Sequence, residues 1–206
     1  MSRIIKQIEI EGLKAITENE FLNALSNVGI KVGSNLIETY LIKLGEKIKK
    51  AMPEVKSVRI KRNLPNRIKF IVTEREPIGT VEIDGKLVAI DDENVCFVTN
   101  RDISNLPQIM TDIDKVSDGV KLLKALNEMN RNIYFLISKV YNINDRFTLL
   151  LKSNTKIFWG EYSDNVVDTQ LKLLNKTLQD AESRFRNIEY IDLRLFNEGR
   201  VILKPI

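Results

Sequence analysis

Hydrophobic and polar positions recur at two periods along the chain, and the change of period marks the elements. Ile8 and Ile10 alternate with Gln7, Glu9 and Glu11, the pattern of a half-buried strand, which Gly12 closes. Thr17 and Glu20 have capping-box spacing. Phe21, Leu22, Leu25 and Val28 then follow at helical spacing, and Gly29 stands where a helix stop favours glycine. Ser34 or Asn35 is expected to cap a second helix with an apolar face of Ile37, Tyr40, Leu41, Leu44 and Ile48. That helix must end by Met52, because Pro53 disfavours helix in the residue before it. Val58 and Ile60 alternate with charged neighbours, Asn63-Leu64-Pro65-Asn66 turns the chain, and Ile68, Phe70 and Val72 alternate back. The first 75 or so residues therefore predict β-α-α-β-β.

Glu74-Arg75-Glu76-Pro77 reads as a junction, and the grammar changes after it. Residues 81–83 and 87–90 predict a hairpin around Asp84-Gly85, whose residue types suit the positive φ of a tight turn. A strand over 95–98 is expected next, then an irregular stretch over 100–116 around Leu106-Pro107. Ser117 is expected to cap a helix carrying Val120, Leu122, Leu123, Leu126 and Met129. Strands are predicted at 133–141, 146–151 and 156–159, then a long helix over 164–182 with Val167, Leu171, Leu174, Leu178 and Ala181 on one face. Strands at 188–195 and 200–204 close the chain. The fold class is α+β, with domains at 1–76 and 77–206, the second built on a mostly antiparallel sheet and two helices.

Composition narrows the chemistry. Histidine is absent from the 206 residues, which removes His-based nucleophile systems, a His general base and most zinc sites. The one cysteine, Cys96, lies in an apolar run and reads as a small core residue. Asp91-Asp92-Glu93 and the pair Asp112 and Asp114 lack calcium-loop spacing and read as turn residues. There is no Walker A and no GxGxxG motif. Catalytic, cofactor-binding and metal residues are therefore all expected to be none. Residues 1–76 hold 15 Lys/Arg against 9 Asp/Glu, a net +6, whereas residues 77–206 hold 17 against 19, a net −2. A basic front half reads either as an ordinary solvated surface of mixed charge or as one suited to an anionic membrane surface. Its acids dilute it too far for a phosphate-tracking stripe, so nucleic acid is not an expected partner. No apolar run reaches the ~18 residues that a membrane helix needs.

The last strand carries the functional signal. Arg200, Ile202 and Lys204 alternate with Val201, Leu203 and Pro205, and a terminal strand at a sheet edge offers unpaired backbone groups to a partner. The other reading is an edge protected by Arg200 and Lys204 that only covers the core. Leu195, Phe196, Val201 and Leu203 are the candidate apolar contacts. Arg194 and Arg200 are candidate ion-pair donors, with the alternative that Arg194 braces the strand through an acid of its own domain.

The order of elements resembles a known family. Ile8-Glu9-Ile10-Glu11-Gly12, Pro53 to Ile60 and Leu64-Pro65-Asn66 are similar to the opening strand and closing hairpin of a POTRA domain, a polypeptide-transport-associated module. Glu74-Arg75-Glu76-Pro77, Leu87 to Asp91, Leu106-Pro107, the Trp159-Gly160 turn and Ile191-Asp192-Leu193-Arg194 fit, in order, the bacterial cell-division family FtsQ/DivIB. The resemblance implies a non-enzymatic divisome scaffold of the cell membrane. It would be single-pass, anchored by an upstream helix that this chain lacks, with this part on the extracytoplasmic side. It would bind FtsB/DivIC-like and FtsL-like bitopic partners and help regulate septal peptidoglycan synthesis. The alternative is a POTRA-bearing transport or chaperone module of an envelope assembly or secretion system.

Overall fold

The computed structural model describes residues 4–35, 41–63, 65–185 and 187–206, arranged as two units. In the first, β1 (Gln7–Glu11), α1 (Glu18–Asn27), α2 (Leu41–Ala51), β2 (Val55–Asn63) and β3 (Arg67–Glu74) follow one another. The sheet order is β1-β3-β2, with β1 parallel to β3 and β2 antiparallel to it. Ile68, Phe70 and Val72 of β3 lie buried with Phe21 and Leu25 of α1 and Leu44 and Ile48 of α2. Each such side chain contributes roughly 1.5–3 kcal/mol through burial. Phe21 meets Phe70 edge-on at 5.9 Å. The capping box forms: Glu20 N–H donates to Thr17 Oγ1 at 3.2 Å, and Thr17 N–H donates to Glu20 Oε2 at 2.8 Å. Ile37, Tyr40 and Leu64 of the expected second helix and turn lie outside the described residues.

Residues 97–101 also belong to this unit, although the expected boundary put them in the second domain. Polar contacts explain why. Arg101 Nη2 donates to Glu74 Oε2 at 2.9 Å, Asn100 Nδ2 donates to Glu20 Oε1 at 3.2 Å, and the Thr99 hydroxyl donates to Glu54. Glu74 also accepts the backbone N–H groups of Lys14 (2.6 Å), Ala15 (2.9 Å) and Ile16 (3.1 Å) ahead of α1. Desolvation raises the Glu74 carboxyl, but these donors together outweigh it and hold the group below the usual carboxylate range. Desolvation dominates at Glu54, whose carboxyl is pushed up.

The second unit takes 77–96 and 102–206. Its elements are β4 (Pro77–Ile83), β5 (Lys86–Asp91), β6 (Cys96–Phe97, whose second residue counts with the first unit), β7 (Gln108–Met110), α3 (Val116–Met129), α4 (Arg131–Leu136), β8 (Ile137–Ile143), β9 (Arg146–Leu151), β10 (Lys156–Gly160), α5 (Val167–Arg184), β11 (Ile188–Asp192) and β12 (Ile202–Pro205). The strands form one mixed sheet in the order β12-β11-β10-β9-β8-β7-β4-β5-β6. Parallel pairs are β4 with β7, β7 with β8, and β10 with β11. The core joins Leu122, Leu123 and Leu126 of α3 and Leu171 and Leu174 of α5 to Val140, Leu149, Ile157 and Trp159 of the sheet.

Four expectations change. Residues 133–136 are helix, not strand, so a third helix joins the two expected. The Asn130 side chain caps the Ile133 N–H at 3.1 Å, and the buried Tyr134 hydroxyl donates to Ile78 O at 2.9 Å. That local cap and that tertiary bond override the β-prone run of aromatic and branched residues. Secondly, β7 falls in the stretch read as irregular; its three residues are too few to show a period. Thirdly, α3 starts at Val116, with Lys115 rather than Ser117 at the N-cap and no side-chain cap bond. Lastly, the strand expected over 95–98 is only two residues long. Asp91 does what turn chemistry requires, accepting the N–H groups of Glu93 and Val95.

Candidate partner-docking edge

β12 ends the sheet: it pairs antiparallel with β11, and among the described residues nothing pairs with its other side. It follows a 3-10 turn at Phe196–Glu198, which Gly199 terminates at φ 69°, a left-handed conformation that suits glycine. The strand is shorter than expected at its start, so Arg200 and Val201 precede it.

Backbone alternation decides what the edge offers. The Ile206 N–H donates to Asn187 O at 3.2 Å, toward the β11 side. Successive residues of a strand turn their backbone groups to opposite sides, so Lys204 and Ile202 also face β11. Leu203 then presents N–H and C=O to the free edge. Pro205 stands at an outward position too, where it has no N–H to donate.

The side chains point the other way from the sequence expectation. Val201 and Leu203, expected as apolar contacts, are half-buried and pack against the core. Ile202, which sequence reading passed over, is 45% exposed in their place. Its position in the alternation was visible, but which face is covered depends on α5 and the rest of the sheet. Leu195 is exposed and Phe196 half-buried beside a cleft of about 720 Å³, which Ile202, Arg194, Trp159 and Gln170 also line. The Trp159 Nε1 and Gln170 Oε1 atoms are buried without a partner among the described residues.

The cations are committed locally. Arg194 grips Asp192, with Nε at 2.9 Å from Oδ1 and Nη2 at 2.5 Å from Oδ2, and its guanidinium lies 5.3 Å from the Phe158 ring centre. Of the two readings for Arg194, the structure therefore contains the bracing one. That bidentate bond holds the Asp192 carboxyl below the usual range and raises Arg194. Arg200 approaches Glu198 at 3.5 Å, with both side chains largely exposed. Lys204 donates to Glu189 at 2.6 Å, which raises the Lys204 ammonium.

A compact β-α-α-β-β unit followed by a sheet unit with an open terminal edge defines a POTRA-type domain joined to a sheet domain. The comparisons agree in both halves. Residues 3–75 match the family model of the POTRA domain, FtsQ-type, and residues 79–194 match that of the FtsQ/DivIB cell-division protein, C-terminal. The chain belongs to the FtsQ/DivIB family of cell-division proteins. It is 25% identical over 220 residues to the FtsQ of Geotalea daltonii, covering 98% of this chain and 76% of that protein. It is 32% identical over 115 residues to the DivIB of Clostridium acetobutylicum, covering 56% of this chain and 45% of that protein. Among solved structures, the major extracytoplasmic domain of Geobacillus stearothermophilus DivIB matches at TM-score 0.37 and 11% identity, covering 55% of this chain and 99% of that domain. Among the described residues, no helix is long and apolar enough to cross a membrane.

Proposed function

We propose that the chain acts as a non-enzymatic division scaffold on the extracytoplasmic side of the cell membrane, and that β12 receives an extended segment of an FtsB/DivIC-like partner. An FtsL-like protein joins the same assembly, and through it the scaffold helps regulate septal peptidoglycan synthesis. The observation that carries this reading is the free edge of β12, where Leu203 turns its backbone groups away from β11. Family membership supports the division role. In this mode backbone bonds supply affinity, while Ile202, Leu195 and Phe196 supply contact area and Arg200, largely exposed and 3.5 Å from Glu198, selects an acidic segment.

Calorimetry with the extracytoplasmic segment of the cognate DivIC-like protein tests the reading. Leu203→Pro removes an outward donor without breaking a β11–β12 bond, and Val201→Pro acts just ahead of the strand, so both are expected to fold by circular dichroism and to bind at least about tenfold more weakly. Phe196→Ala is expected to weaken binding as well. If well-folded Leu203→Pro, Val201→Pro and Phe196→Ala variants all bind like the parent, β12 is not the docking strand.

A further inference from the structure

A cavity of about 740 Å³ opens in the second unit beside the first turn of α3. That volume falls in the range of small-ligand pockets, roughly 300–1,000 Å³. A Cβ at Gly119 of α3 would meet Ile109 Cγ2 at 2.8 Å, so α3 covers the sheet face that Ile109 occupies. Ile109 stands opposite Val140 in the β7–β8 ladder, and Asn142, two residues on, shares that face. Val81, Ile83, Ile90 and Ile109 give the cavity an apolar wall, and Ile83 is still 39% exposed. Asn142 lines the cavity too, at a core-facing strand position that is ordinarily apolar. It is only 6% exposed, and its Nδ2 and Oδ1 both lack a protein partner among the described residues. The nearby Thr111 hydroxyl is already used, since it donates to Asn142 O at 3.3 Å. Lys115, the cation on the lining, is held by Asp145 at 2.6 Å, while Asp112 on the same lining is exposed.

We propose that this cavity binds a neutral peptide unit with a branched apolar side chain, and that the Asn142 carboxamide recognises the peptide's backbone. A carboxamide offers donors and an acceptor side by side. A cationic ligand only donates, so it leaves Asn142 Nδ2 unanswered. A carboxylate only accepts, so it leaves Oδ1 unanswered and also meets Asp112. One extended residue presents its own N–H and C=O on the same side, which answers Oδ1 and Nδ2 together. The last torsion of asparagine is broad, and a turn about it brings the carboxamide edge to the cavity. The ligand's apolar side chain then covers Val81, Ile83 and Ile109. The site is separate from the terminal edge, because β9, β10 and β11 stand between β8 and β12.

The test uses NMR spectra of the full chain, read at the Asn142 side-chain amide signal and the methyl groups of Ile83 and Ile109. The probe is acetyl-leucine-N-methylamide, and saturable shifts of all three signals are expected. Acetyl-N-methylleucine-N-methylamide lacks the leucine donor and should bind at least about tenfold more weakly. The ions 4-methylpentanoate and 3-methylbutylammonium should shift none of the three. Asn142→Leu keeps the side chain's size and removes both unanswered atoms, so it should hold or raise the melting temperature while weakening probe binding at least about tenfold. An asparagine that serves the fold alone would do the reverse, losing stability and leaving binding unchanged. Cys96, the chain's one cysteine, is half-buried on the same lining, so the probe should slow its alkylation by iodoacetamide in the parent and not in Asn142→Leu. Leu203→Pro should leave this binding intact, which separates it from docking at β12. The proposal is overturned if the probe gives no saturable shifts, if the N-methyl analogue or either ion binds as tightly, or if folded Asn142→Leu binds the probe like the parent. Should Asn142→Leu fail to fold, the analogue and the two ions decide alone.

Discussion

Removing the Arg101 guanidinium tests whether residues 97–101 are an integral part of the first unit. The Glu74 side chain has no solvent exposure, and Arg101 is 23% exposed. Breaking a buried ion pair from one side costs about 3–5 kcal/mol when the remaining charge is left without partners. Glu74 is not left so, because three backbone N–H groups still hold it. The loss then approaches that of one charged hydrogen bond, about 1.5–3 kcal/mol, and Arg101→Ala is expected to destabilise the first unit by about 2 kcal/mol. For a unit of this size that lowers the melting temperature by roughly 8–16 °C. Because two units need not melt together, the readout must separate them. Trp159, the chain's one tryptophan, lies in the second unit, so its fluorescence should barely move. Hydrogen exchange in peptides covering 14–28 and 67–75 should speed up. Arg101→Lys keeps the charge but loses the planar fork, and should recover part of the loss. A fragment of residues 1–76, which lacks Thr99, Asn100 and Arg101 together, should be less stable than the single variant. If Arg101→Ala and the fragment both match the parent's exchange within about 0.5 kcal/mol, the segment is only draped on the unit.

Gly12 sits at φ 91°, and a Cβ there would lie 2.1 Å from Val72 O, so Gly12→Ala should cost about 2 kcal/mol or more in chemical denaturation of the first unit. The depressed Asp192 carboxyl contributes stability that is fully present above the ordinary carboxylate range and is lost as pH falls through its folded value. Melting temperature followed from about pH 7 down to 3 should therefore fall less steeply in Asp192→Asn than in the parent; equal slopes would refute the linkage. Asn130→Ala removes the cap of α4 and should cost about 1 kcal/mol in urea unfolding, with Asn130→Ser recovering most of it.

The sequence determined elements whose signals are local and long. The capping box of α1, the alternation of β3 and the five-residue apolar stripe of α5 each repeat often enough to fix both type and face. Asp84-Gly85 located a hairpin because few residue pairs accept its positive φ angles. The terminal strand and the residues around it were legible too, since the alternation over 200–205 names two faces. Which face is covered was not legible. Val201 and Leu203 turn inward because the core cluster lies on that side, and only the folded sheet fixes that. The same reason applies to residues 133–136: they form a helix once Tyr134 reaches Ile78, a bond spanning 56 positions in sequence. The inclusion of 97–101 in the first unit depends on Glu54 and Glu74, two carboxylates that burial leaves in need of donors. Periodicity reports what a residue's neighbours in sequence do. Burial, pairing and the free edge of a sheet depend on partners far along the chain, so only the tertiary structure decided them.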